Sequence, residues 1–356
     1  MRRIFGLAIL AVIALTTVGV LRAAGFPLWA YGYVTPPASP VDYSTKCTGA
    51  RPIDCGRGGG LPADEGIIRH LPGSNGAFTL KQIHNSFGPA DWYPGDHPVM
   101  PDIVAHGKEA TGLRACSLCH YPNGQGKPEN GPVAGLPVEY FMRTIADFKN
   151  GRRKSADLNK ANQFEMAAIA RNLTDAEAKA AAEYFGSIKF RPWVKVVESN
   201  TVPKFMAEQS GLFLPEGGSE GTATEPLGQR IIEMPQSRDD TVLLRHPRSG
   251  FVAYAPVGSI QKGEVLVKTG GARIIDGKIV PGPTKECGVC HGADLRGIAY
   301  VPPIAGRQPS YLVRQLYDMQ QGTRNGEGTK LMRAVVANLT DEDLIAIAAY
   351  VSSREP

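Results

Sequence analysis

The feature that most constrains this chain is a pentapeptide that occurs twice, as Cys-Ser-Leu-Cys-His at residues 116–120 and as Cys-Gly-Val-Cys-His at residues 287–291. This Cys-x-x-Cys-His pattern is the attachment site of a c-type haem. Two thiols one helical turn apart can each form a thioether with a haem vinyl group, and the adjacent histidine can bind the iron. The sequence therefore predicts two covalently bound haem c groups. Their attachment residues would be Cys116, Cys119, Cys287 and Cys290, and their proximal iron ligands His120 and His291.

Zinc sites and redox-active dithiols also use Cys-x-x-Cys, so one copy alone would leave those chemistries open. A zinc ribbon pairs two such motifs within one small fold. Here the copies stand far apart, and each is followed by its own similar sequence. This arrangement favours haem.

The N-terminus has the pattern of an export signal. Two arginines precede an apolar run from Ile4 to Leu21. Ala23-Ala24-Gly25 offers a weak cleavage point, and Leu28-Trp29-Ala30 fits the small-x-small rule less well. The run is longer than a usual signal-peptide core and just long enough to span a bilayer, so a cleaved signal and a membrane anchor both remain open. In either case we expect a periplasmic protein, soluble or anchored to the inner membrane by residues 4–21.

Two further cysteines, Cys47 and Cys55, lie in a glycine-rich segment outside the motifs. In an oxidising compartment a local disulfide is favoured. The alternative is that one of them is a thiolate ligand to a haem iron, which would lower its potential. The net charge of +5, with 21% charged residues, gives no reason to expect nucleic acid as a partner. Redox proteins, which meet through small and weakly bound interfaces, are the expected partners.

The two motifs lie in two copies of one module. A shift of 171 residues brings Gly126, Pro132, Ala134, Gly135, Tyr140, Arg143, Asp147, Gly151 and Arg153 onto Gly297, Pro303, Ala305, Gly306, Tyr311, Arg314, Asp318, Gly322 and Arg324. After a loop that is shorter in the second copy, Met166 and Met332 stand at equal distances before Asn-Leu-Thr-Asp. This register singles them out among the methionines as candidate iron ligands. The competing candidates are His70, His84, His97, His106 and His246.

Helical signals dominate both modules. Apolar spacing predicts helices over Val138–Lys149 and Pro309–Gln320, and short helices are expected around the two motifs. Capping boxes that begin at Thr174 and Thr340 predict a final helix in each copy. Each module would be a small all-α unit in which the haem supplies the missing core.

These features resemble the bacterial dihaem class I cytochromes c, in which two such modules lie in tandem. The resemblance is carried by Cys-x-x-Cys-His, the stretch from Pro302 to Leu312, the Gly-Thr-Arg at 322–324 and the methionine that follows. It implies a mainly α fold with two helical domains around covalent haems. It also implies His120 and Met166 on the first iron, and His291 and Met332 on the second.

The expected organisation has five parts: 1–31, signal peptide or anchor; 32–100, an extension that caps the first module; 101–192, first cytochrome domain; 193–258, an insert; 259–356, second cytochrome domain. Within and after the insert we predict short strands at 229–234, 241–245 and 251–254, and a hairpin over 272–280 that turns at Asp276-Gly277.

The resemblance implies a respiratory carrier that passes single electrons between periplasmic or membrane redox partners, with no catalytic residue of its own. Two alternatives remain open. One is a dihaem redox enzyme, peroxidase-like or sulfur-compound-oxidising, with one labile haem ligand. The other is the cytochrome subunit of a dehydrogenase or oxidase complex.

Overall fold

The computed structural model describes Cys47 and residues 51–55, 66–207, 211–217 and 223–356. Within these ranges, none of the helices is long and apolar enough to cross a membrane. The apolar run 4–21 lies outside the described residues, so the choice between signal peptide and anchor stays open. The side chain of Cys55 also lies outside them, and its pairing with Cys47 remains a prediction.

The described part of the N-terminal extension contains two four-residue helices, α1 (Pro52–Cys55) and α2 (Leu80–Ile83). Thr79 and Gln82 form a reciprocal capping box that begins α2. Around α2 the extension builds its own small hydrophobic cluster, which consists of Leu71, Leu80, Ile83, Trp92 and Tyr93. The extension is therefore a packed unit with a core.

The first module is helical. Its helices are α3 (Asp102–Ala105), α4 (Cys116–His120), α5 (Val138–Lys149), α6 (Ala161–Asn172) and α7 (Asp175–Ser187). The bounds of α5 and the capping box of α7 are as predicted. Helix α1 of the extension packs on α6, where Cys47 joins Phe164 and Ala168 in a buried cluster. The extension thus covers the helix that carries Met166.

The insert contains the elements β1 (Val194–Glu198), β2 (Thr201–Pro203), β3 (Phe205–Ala207), β4 (Phe213–Pro215), β5 (Thr224–Pro226), β6 (Ile232–Pro235), α8 (Arg238–Val242) and β7 (Phe251–Ala255). Three of the strands form a sheet in the order β1-β7-β6, in which β7 runs parallel to β1 and antiparallel to β6. The strand predicted at 241–245 is wrong. The Ser237 side chain accepts a hydrogen bond from the Asp240 backbone N–H and begins the short helix α8 instead.

The second module repeats the helical pattern. Its elements are α9 (Ser259–Thr269), β8 (Arg273–Ile275), β9 (Lys278–Val280), α10 (Gly288–His291), α11 (Pro309–Gln320), α12 (Lys330–Val336) and α13 (Asp341–Ser352). Helices α9 and α13 pack closely because Gly263 has no side chain: a Cβ there would lie 2.0 Å from the Ala346 carbonyl oxygen. The predicted hairpin is present as β8 and β9, with Asp276 and Gly277 both at positive φ in the turn. The 11-residue helix α9 has only the four-residue α3 as its counterpart in the first module.

The two modules meet at a seam where equivalent residues pair crosswise. Arg153 donates to the Tyr311 hydroxyl at 2.6 Å, and its repeat equivalent Arg324 donates to the Tyr140 hydroxyl at 2.9 Å. The backbones of residues 152–154 and 323–325 hydrogen-bond to each other beside them. Each of these contacts has a counterpart in which the equivalent residues of the two modules are exchanged. The modules are therefore related across the seam by an approximate two-fold axis.

Candidate haem sites

Helix α4 places the two thiols of the first motif one turn apart. Both cysteines are half-buried, and desolvation raises the pKa of Cys116 to about 12 and that of Cys119 to about 11. At neutral pH these thiols are uncharged. This protonation state is unlike that of an activated redox dithiol, which lowers its thiol pKa to react.

The two proximal histidines have matching surroundings. Nδ1 of His120 lies 3.1 Å from the Gly131 carbonyl oxygen, and Nδ1 of His291 lies 2.8 Å from the Pro302 carbonyl oxygen. A proton on Nδ1 donates this bond and leaves the Nε2 lone pair available to a metal. Burial lowers the pKa of both imidazoles, although the bond to the carbonyl opposes it. Each histidine is therefore neutral and fixed in orientation, as an iron ligand must be.

The second motif is more open than the first. The Cys287 backbone N–H donates to the Val267 carbonyl at 2.9 Å, which ties the motif to the end of α9. Burial raises the pKa of Cys287 to about 11, and the neighbouring thiol of Cys290 adds to the effect. Cys290 itself is exposed.

The core of each module brings its motif and its candidate methionine together. Cys116 and Met166 pack against one hydrophobic cluster, and Cys287 and Met332 pack against another. Met166 comes from α6 and Met332 from α12. Cys116 and Cys287 pack against different clusters, which is not the arrangement of one shared zinc site.

Three of the five competing histidines are engaged elsewhere. His84 donates through Nε2 to the Leu243 carbonyl at 2.8 Å, and burial lowers its pKa to about 4. His97 lies 3.2 Å from the Asp91 carboxylate, and His246 contacts the Tyr93 hydroxyl at 3.0 Å. His70 and His106 are exposed on the extension and on the loop after α3.

A residue of the insert holds the first motif, and no sequence motif predicts this contact. Arg245 donates a hydrogen bond to the Leu118 carbonyl, between the two cysteines, and its guanidinium lies over the ring of Tyr121. Asn123 donates to the Pro247 carbonyl at 2.8 Å beside it. Arg245 is far from the motif in sequence and has a positive φ angle. Nothing in the residues around it indicates this role.

The extension in turn holds this part of the insert. Trp92 donates to the Leu244 carbonyl at 2.7 Å. Arg248 forms two hydrogen bonds with Asp96, at 2.8 and 2.7 Å, and stacks on Tyr93. The extension thus contacts the first module directly at α6 and also supports it through the insert, in keeping with the predicted capping role.

The buried polar groups at the seam suit a cofactor that carries carboxylates, as haem does. Arg307 donates to the Ala134 carbonyl at 2.8 Å and lies over Phe190, yet its Nε has no partner among the described residues. The Nε of Arg324 is in the same condition. Buried guanidinium groups of this kind require acceptors. Together with the neutral thiols and oriented imidazoles, they show that these residues fit two haem c groups.

Comparisons with known proteins agree with the geometry. The family model described as cytochrome c matches residues 104–189 and 282–355, which are the two helical modules with their motifs. A thiosulfate dehydrogenase electron acceptor from Stutzerimonas stutzeri is 36% identical over 254 residues, which are 70% of this chain and 84% of the relative. Cytochrome c4 from Pseudomonas aeruginosa is 24% identical over 240 residues, 66% of this chain and 82% of the relative.

Among solved structures, reduced cytochrome c4 from Pseudomonas stutzeri aligns with 67% of this chain and 93% of its own, at 21% identity and a TM-score of 0.41.

Proposed function

Because the chain belongs to the bacterial dihaem class I cytochromes c, and so binds two covalent haem c groups and transfers single electrons between redox proteins, we propose that it is an exported carrier. It would accept electrons from a dehydrogenase and deliver them to a later component of a respiratory chain. The observation that carries this proposal is the duplicated site, in which both histidines are held by a carbonyl bond of the same kind.

The residues have defined roles in this proposal. Cys116, Cys119 and His120 would hold the first haem, with Met166 as a further ligand to its iron. Cys287, Cys290 and His291 would hold the second, with Met332 as a further ligand. When bound, each haem would supply an iron that accepts and releases one electron. Ligation by a neutral thioether together with a neutral imidazole favours the ferrous state, so both potentials should lie on the high side of the haem range.

The donor we propose is a dehydrogenase that oxidises a reduced sulfur compound. The support is the relative at 36% identity, whose name gives it as an electron acceptor of thiosulfate dehydrogenase. Mixing the ferric protein with such a dehydrogenase and thiosulfate should reduce both haems, and omitting the dehydrogenase should leave them oxidised. Reduction by thiosulfate alone would support the enzyme alternative and contradict the carrier.

The ligands are tested by a redox titration with absorbance spectra. Native ferric protein should show the weak methionine-to-iron(III) charge-transfer band. Met332→His and Met166→His should each remove part of that band and lower one of the two potentials. Met319→Leu is the matched control, since Met319 is buried in the core of the second module without being a proposed ligand. It should leave the band and both potentials in place.

Two results would contradict the proposal. If Met332→His leaves both potentials unchanged, the ligand assignment is wrong. If cyanide or carbon monoxide binds one haem readily under mild conditions, that iron has a labile position, and the enzyme alternative is favoured.

A further inference from the structure

Four positions of the repeat are apolar and exposed in the second module but covered in the first. Val289 is 72% exposed, whereas its equivalent Leu118 is 8% exposed. Leu331, next to Met332, is 79% exposed, whereas its equivalent Glu165 is 8% exposed and pairs with Arg114. Ile298 and Tyr300 are likewise exposed, whereas their equivalents Lys127 and Glu129 form an ion pair at 2.7 Å.

The β8–β9 hairpin extends this apolar surface. All six strand residues are exposed, and Ile274 and Ile279 pair across the strands on one face, at 78% and 77% exposure. An isolated two-stranded hairpin is marginally stable in water, and large aliphatic side chains are costly to leave in solvent. A ribbon with such residues on both faces is typical of an interaction site.

The hairpin comes directly before the second haem motif in the chain. Its second strand leads within a few residues to Cys287, and Thr284 on that connection donates to the Val335 carbonyl at 2.8 Å. Val335 lies on α12, the helix that carries Leu331 and Met332. The connection that follows the hairpin therefore contacts the methionine helix and leads into the motif. We call the set Ile274, Ile279, Val289, Ile298, Tyr300 and Leu331 the second-module apolar surface.

Charges on the same segments select the partner. Among the described residues, five exposed cations of the hairpin, the motif loop and α12 form no ion pair: Arg273, Lys278, Lys285, Arg296 and Arg333. The exposed anions of the same segments are Asp276, Glu286 and Asp294. The excess of positive charge around an apolar centre fits a partner with an apolar centre and an acidic rim, which is the usual anatomy of a transient interface.

We propose that the second-module apolar surface is the port through which this carrier exchanges electrons, and that its occupant is a redox protein with an acidic rim around an exposed cofactor edge. The first motif, held beneath Arg245 and the extension, does not serve as a port. This inference rests on the proposed carrier function, and it adds which haem meets the partner and with what chemistry.

The test uses the full haem-loaded protein and reduced flavodoxin, an acidic protein with an exposed flavin edge, as the probe. Stopped-flow mixing gives the second-order rate constant of haem reduction at several ionic strengths. The native rate should fall as salt increases, because opposite charges steer the encounter. The double variant Ile274→Asp, Ile279→Asp should lower the rate about tenfold or more, and Val289→Asp should act in the same direction.

The matched control is Val99→Asp, which places the same charge at a 95% exposed apolar residue of the extension. Its rate should match the native rate. Both potentials, and the rate of reduction by dithionite, are measured for every variant. Unchanged values show that a slower reaction with flavodoxin is a loss of docking and that the hairpin change leaves the haem sites intact. Native potentials on the low side of the haem range would instead contradict the proposed carrier function.

Three results would overturn the port. The first is that the hairpin and Val289 variants react as fast as the native protein, or that the native rate constant rises with salt. The second is cosedimentation of native protein, but not of the hairpin variant, with vesicles containing phosphatidylglycerol, which would make the occupant a lipid surface. The third is a native dimer in sedimentation velocity that the hairpin variant dissociates, which would make the occupant a second copy.

Discussion

Leu118 and Val289 occupy the same position in the two copies of the haem motif, yet Leu118 is buried and Val289 is exposed. The difference comes from sequence outside the repeat. Arg245 of the insert binds the Leu118 carbonyl, and the extension holds the insert through Trp92 and Arg248. Two modules of one design have thus become different, one enclosed by added segments and the other open to solvent. In a carrier, such a difference assigns different tasks to otherwise equivalent haems.

Removal of one haem at a time should give the largest effects and test the difference directly. Cys116→Ser with Cys119→Ser, and Cys287→Ser with Cys290→Ser, should each leave one haem per chain, measured as the pyridine haemochrome. A module without haem loses much of its core. Limited proteolysis should then cut the open second module faster than the enclosed first one. Equal cleavage of both haem-free modules would mean that the added segments do not stabilise the first.

A buried carboxyl in the insert gives the next largest effect. Glu233 on β6 accepts hydrogen bonds from the Ser310 hydroxyl at 2.6 Å and backbone N–H at 3.3 Å, at the start of α11. The equivalent of Ser310 in the first module is Glu139, which is exposed and pairs with Arg143. Burial raises the pKa of Glu233 to about 7, although the hydrogen bonds from Ser310 and the charge of Arg314 act to lower it.

A carboxyl pKa raised on folding means that the folded state binds more protons, so stability is highest at acid pH and falls as pH rises toward 7. Glu233→Gln should remove this fall. The expected gain is about 2–3 kcal/mol in the free energy of unfolding at pH 8 and none at pH 4. Guanidinium unfolding at both pH values measures it, with Glu139→Gln as the control. A variant less stable than native at pH 8 would contradict the raised pKa.

Arg245→Gln should make the first motif more exposed to solvent, as the second motif already is. The lost charged hydrogen bond and ring contact should cost about 1.5–3 kcal/mol of stability. A more hydrated haem with fewer cations beside it favours the ferric state, so one potential should fall in a redox titration. Lys179→Gln, which removes a cation with a 66% exposed side chain on α7, should change neither quantity by a comparable amount. A fall in both potentials would show that Arg245 acts beyond the first site.

The sequence predicted what is local. The helices at Val138–Lys149 and Pro309–Gln320 and the turn at Asp276-Gly277 follow from side-chain spacing, capping and turn chemistry within a few residues. The strand at 241–245 was wrong because the cap at Ser237 outweighed the β-branched pattern after it. The assignment of Met166 and Met332 as iron ligands rests on repeat register and stays a prediction.

Long-range partners could not be predicted in this way. Arg245 on Leu118, and Glu233 on Ser310, join residues that only the folded chain brings together. The parallel pairing of β1 with β7 depends on the whole insert between them. These contacts make the two modules unequal, so the repeat alone predicts two similar sites and misses their different exposure.

The smallest effect is expected at the seam, where the modules are still symmetric. Tyr140→Phe and Tyr311→Phe each remove one hydrogen bond to an arginine of the other module. Burial acts to raise the pKa of Tyr140, but the charges of Arg324 and Arg153 outweigh it and lower the pKa. The phenol oxygen therefore interacts strongly with the two guanidinium groups. Each variant should lose about 1 kcal/mol in guanidinium unfolding, by equal amounts. Unequal losses would show that the asymmetry created at the haem motifs also reaches the contact between the modules.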